Sequence, residues 1–137
     1  MPTPDPAFAL LVLQVLVASF LGILFLQSGL DKVVDRKGNL DYITGHFAKS
    51  PLAKMAPLMF VAITLLEVAA GAVSAVGAVL VVVQRTAVVA FWGAVLSALS
   101  ILCLFFGQRM AKDYAGAAGL VPYFLATLAG IWLTTAR

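Results

Sequence analysis

Cysteine and histidine are nearly missing from this sequence. One of each occurs among 137 residues, Cys103 inside an apolar run and His46 in a loop. A single thiol rules out an internal disulfide, and a thiol relay would need an outside partner. A zinc or bis-histidine haem site built from this chain alone is not expected, because each needs more His and Cys than are present. Any redox role would therefore borrow its centre from another subunit, or act on a diffusible carrier such as a quinone. No cofactor is expected on this chain alone beyond a bound quinone or lipid.

Charge is scarce too. Asp, Glu, Lys and Arg make up 11% of the residues, against about a quarter in soluble domains. The hydrophobic share is 63% and the mean hydropathy is +1.06, the balance of an integral membrane protein. The length allows one membrane domain, residues 1–137. The formal net charge of +3 does not point to nucleic acid. The nine Lys and Arg sit at the edges of apolar runs, where headgroups and topology account for them. A nucleic-acid partner would want a basic, aromatic-studded soluble surface, and none is present.

What the chain does hold is four apolar runs, at about 7–30, 57–83, 86–106 and 119–135. Roughly twenty apolar residues cross a hydrocarbon core of ~30 Å as a helix. Asp5-Pro6 reads as a cap followed by proline at the first helical position. The first run is no standard signal peptide, since no Lys or Arg precedes it and it exceeds an ordinary apolar leader core. In the first loop, Gly38 is expected to end that helix and Asn39 to cap a new one. Leu40, Ile43 and Phe47 recur at helical spacing there, giving a short amphipathic helix in the interface, with His46 on its solvated side. Ser50-Pro51 reads as the start of the second span, and Gln84-Arg85 as a tight turn between the second and third. The expected fold is all-α: a four-helix up-down membrane bundle with one interfacial helix.

Lys32, Arg36, Lys37, Lys49, Lys54, Arg109 and Lys112 fall in the first and third loops, against Arg85 and Arg137 on the opposite side. The positive-inside rule then places both termini outside the cytoplasm. Trp92 and Trp132 fall toward the non-cytoplasmic ends of their spans, as interfacial anchors should.

One carboxylate, Glu67, lies well inside the second run. A charge at that depth costs at least ~2.5 kcal/mol on insertion scales. Gly71, Ser74, Ala75 and Ala78 share its region, so it is expected to face a closely packed neighbour rather than lipid. With the four spans aligned by their centres, Ser97, Ser100, Tyr123 and Thr127 come level with it. No Lys or Arg falls in those central turns, and Lys32 and Arg109 are expected to snorkel outward. Glu67 is thus expected to be neutral and hydrogen-bonded, either as packing or as a proton-handling group beside a quinone. Above it, Gln27, Asp31, Lys32, Arg109, Lys112 and Asp113 lie on one side of the membrane and could form a polar mouth. Ala18/Gly22, Gly71/Ala75, Gly93/Ser97 and Ala126/Gly130 are small-residue pairs; Gly22, Gly71, Gly93 and Gly130 are expected at helix contacts.

The run Phe25-Leu26-Gln27-Ser28-Gly29-Leu30-Asp31-Lys32, followed by Glu67-x-x-x-Gly71, resembles the pattern of DoxX-like membrane proteins. The likeness covers about the first 80 residues and is carried by Gly29, Lys32, Glu67 and Gly71. It implies a compact four-helix bundle in a bacterial or archaeal inner membrane. It also implies a link to quinone-reducing oxidoreductases such as thiosulfate:quinone complexes. Two functions follow as expectations: an accessory subunit of a larger, respiratory or quinone-linked membrane complex, or a subunit that itself binds quinone. A small-solute or proton pathway is a more distant third, because one buried acid makes no relay. Enzymatic activity of the chain by itself is left open, with a non-catalytic subunit favoured.

Overall fold

The computed structural model describes residues 1–136. Pro6 sits in the first turn of α1 (Pro6–Val34), where its missing N–H is no loss. At 29 residues α1 is about 43 Å long, so it overshoots the hydrocarbon and reaches the headgroups. The chain breaks at Asp35, not at Gly38 as the glycine suggests. Asp35 Oδ1 accepts from Gly38 N at 3.2 Å and so caps α2 (Arg36–His46). Asn39 lies inside α2, and its Nδ2 donates to Asp31 O and Asp35 O, tying the two helices together.

A run of turns follows. Ser50 Oγ accepts from Leu52 N at 3.0 Å, and a 3-10 turn over Ala53–Met55 leads into α3 (Ala56–Gln84). Ser50-Pro51 therefore closes the first loop instead of starting the span; Pro57 takes the first-turn position. Arg85 ends α3 in the left-handed conformation at φ 55°, and α4 (Val88–Met110) starts three residues later. α4 runs beyond the expected 106 until Lys112, at φ 61°, reverses the chain. Asp113 Oδ1 then accepts from Gly116 N at 2.9 Å, capping α5 (Tyr114–Gly119), which passes through Leu120 into α6 (Val121–Thr135).

Among the described residues, four helical segments are long and apolar enough to cross a membrane: α1, α3 with its leading turn, α4, and α5 with α6. The chain is an all-helical, multi-pass membrane protein. α3 is its centre and packs against α1 on one side and α4 on the other; α6 closes the ring against α4 and α1. The antiparallel register of α1 on α3 is fixed by small residues. Gly22 lies on Ala75, Gly71 on Leu26, and Gly29 on Val68. On the other flank Gly77 meets Ala90 and Gly93 meets Ser74, while Gly130 of α6 meets Ala94. Leu21, Phe25, Ala70, Ala94 and Ile101 form the core, with a second cluster of Ala18, Ala78, Val81 and Ala90 toward the Arg85 turn. α2 lies across the other end, against α1 and α3, with Phe47 buried beyond its last turn.

Candidate functional site

Glu67 is the most deeply placed charged side chain, 1% exposed, on the α3 face that meets α1. The register set by Gly29 and Val68 brings Ser28 and Lys32 of α1 to it. Lys32 Nζ lies 2.9 Å from Glu67 Oε2, and Ser28 Oγ donates to the same oxygen at 2.8 Å. Lys32 Nζ also donates to Ser28 Oγ at 3.0 Å, closing a three-membered cycle. The expectation of a Glu67 without a cation is therefore overturned. Helical side chains lean toward the N-terminus of their own helix, so Lys32 reaches back one turn toward Ser28 and the bundle rather than outward.

The hydroxyls expected around Glu67 are spent elsewhere. Ser97 Oγ donates to Gly93 O at 2.7 Å, Ser100 Oγ to Leu96 O at 2.9 Å and Thr127 Oγ1 to Phe124 O at 2.6 Å. Each satisfies itself on its own helix, the local solution open to a buried hydroxyl where no water is at hand. Tyr123 is exposed, with its ring stacked 6.5 Å from Phe20.

The six residues of the expected mouth divide into separate groups. Lys32 joins Glu67. Asp113 turns inward at the α4–α5 corner, where its Oδ2 is 3.7 Å from His46 Nε2. Gln27, Asp31 and Lys112 are exposed, and the Arg109 guanidinium lies over the Tyr114 ring at 4.6 Å. His46 is not the solvated residue its loop position suggests. Its side chain is 19% exposed, its Nε2 is 2.6 Å from Gln108 Oε1, and its ring stacks on Tyr42 at 5.5 Å. Ser28, four residues before Lys32, could have been paired with it from spacing alone; His46 and Gln108 are 62 residues apart and carried no such signal.

Between these two polar groups lies a cavity of about 670 Å³. Its roof is α2, its walls are the first half of α3 and the last turns of α4, and Lys32 forms one edge. The walls are apolar, with Phe60, Ile63 and Leu66 from α3 and Leu104 from α4 among them. Asn39, Tyr42, His46 and Gln108 supply the polar end. Leu102, Cys103 and Phe106 line it too and are exposed on the outer surface, so the cleft opens sideways between α3 and α4 toward lipid. Among the described residues no group of three or more His, Cys, Asp or Glu is gathered to hold a metal ion. The arrangement suits an apolar molecule with a small hydrogen-bonding head. No protein-family model matches the sequence, and no curated protein or solved structure matches it.

Proposed function

We propose that this chain is a small subunit of a quinone-linked membrane complex, and that the cleft beneath α2 is where it binds the quinone. The observation behind this reading is a cleft whose walls are apolar and whose polar end is electrically balanced. A phosphate head would need a free cation, but Lys32, the one Lys or Arg on the lining among the described residues, already has Glu67 at 2.9 Å. A neutral dicarbonyl ring asks only for hydrogen-bond donors, which the Tyr42 hydroxyl and the Gln108 amide carry. The isoprenoid tail leaves past Leu102 and Phe106 into the bilayer. Small-molecule sites run roughly 300–1,000 Å³, the range in which this cleft falls.

The redox centre in this reading, of haem, flavin or iron–sulfur class, belongs to a partner subunit, and the chain is not an enzyme by itself. The DoxX-like resemblance supports the same assignment and a bacterial inner membrane. The distribution of Lys and Arg supports termini outside the cytoplasm. Cys103 provides the test, because the chain's one thiol lines the cleft. In detergent, decylubiquinone should slow alkylation of Cys103 by N-ethylmaleimide in a saturable way; its fully substituted ring does not itself add to a thiol. Alkylation that proceeds at the same rate at every quinone concentration would overturn the assignment.

A further inference from the structure

Resting on the quinone reading, we infer that the quinone's apolar tail turns across α4 at Leu102 and lies in a second cavity, the groove between α4 and the start of α6. That groove has a volume of about 210 Å³. Ile101, Leu102 and Phe105 of α4 line one side, and Leu120, Val121 and Phe124 line the other. None of these side chains carries a polar atom, so the groove offers nothing to a headgroup or a hydrogen-bonding ring. A hydrocarbon chain is the ligand it fits.

Its position ties the groove to the cleft. Leu102 lines both cavities. One turn further along α4, Phe106 lines the cleft and Phe105 the groove. Residues three and four apart are neighbours on a helix surface, so Leu102 stands as a ridge between the two phenylalanines. All three are exposed on the outer side of α4. A chain leaving the cleft over Leu102 therefore meets the groove at the same level of the helix. The α5–α6 joint supplies the far wall: α5 ends at Gly119, Leu120 follows, and Val121 opens α6 with Phe124 one turn on. In the absence of quinone a lipid acyl chain covers the groove, and it is as apolar as the tail, so the seat adds little to affinity. What favours the tail is the head already held in the cleft, which makes the second contact intramolecular. The groove thus sets the direction of the tail, toward α6 and away from the outer face of α3.

An analogue of decylubiquinone carrying a diazirine at the end of its tail reads that direction, with the protein in phosphatidylcholine nanodiscs. Illumination should label residues 120–124, and excess decylubiquinone should remove that label. Val121 is exposed, so Val121→Trp fills the groove from its outer side. This variant should lose the label on α6 while decylubiquinone still protects Cys103 from N-ethylmaleimide. Displaceable label confined to the outer face of α3 means a tail that runs the other way. Label on 120–124 that survives excess decylubiquinone or Val121→Trp means a tail that is not seated in the groove. Either result overturns the tail's path and leaves the cleft standing. A Cys103 left unprotected at every quinone concentration overturns both.

Discussion

Replacing Lys32 by Met leaves the Glu67 carboxylate 1% exposed with Ser28 as its remaining partner in the cycle. Breaking one side of a buried ion pair costs about 3–5 kcal/mol, whereas replacing both sides by apolar groups is often neutral. Lys32→Met should therefore lower unfolding stability in detergent by about that amount, and Lys32→Met with Glu67→Leu should recover most of it. Equal losses in the single and double variants would show that the two charges do not depend on each other. Ser28→Ala removes one donor and should cost about 1 kcal/mol by the same measurement. Glu67 was legible in the sequence as a buried, inward-facing acid, because depth and charge alone demand that. Its partner was not. Aligning spans by their centres ignores the sliding of α1 on α3 that Gly22, Gly29 and Gly71 impose, and the backward lean of a helical lysine.

α3 approaches α1 and α4 backbone to backbone, and the glycines differ sharply in what they tolerate. A Cβ at Gly71 would stand 2.5 Å from Leu26 N, and one at Gly77 would stand 2.5 Å from Ala90 N and Cα. Neither neighbour is a flexible side chain, so the helices would have to part. Gly71→Ala and Gly77→Ala should each cost about 1–3 kcal/mol of stability in detergent. Gly45 in α2 and Gly119 in α5 have nothing within 4 Å of the same position. There Ala should be neutral or stabilising by up to about 1 kcal/mol, through the lower chain entropy of the unfolded state. Long apolar helices are read easily from sequence because a hydropathy run needs no partner. The helix ends were read less well. Asp35 rather than Gly38, and Lys112 rather than a loose loop after Phe106, set the breaks. Asp35 acts through a hydrogen bond to Gly38 N, and Lys112 through a left-handed backbone angle.

On the scale of the whole molecule, the helix order puts α2, the turns after it and the α4–α5 corner at one end, and the Arg85 turn with exposed Trp92 and Trp132 at the other. Seven of the nine Lys and Arg belong to the first end. With Cys103 replaced by Ser, single cysteines at Thr3 and Thr135 should react with an impermeant maleimide only from the non-cytoplasmic side. Reaction from the cytoplasmic side alone would invert the assignment. The sideways opening of the cleft past Leu102, Cys103 and Phe106 bears on how occupancy is to be counted. A molecule entering there never leaves the bilayer, so the quantity that fills the site is its mole fraction among lipids, not its molarity in the surrounding buffer. On the proposed quinone reading, diluting the membrane with extra lipid at constant total quinone should empty the cleft, and adding water should not. Lengthening the tail should drive more molecules into the bilayer while leaving the mole fraction at half-occupancy unchanged.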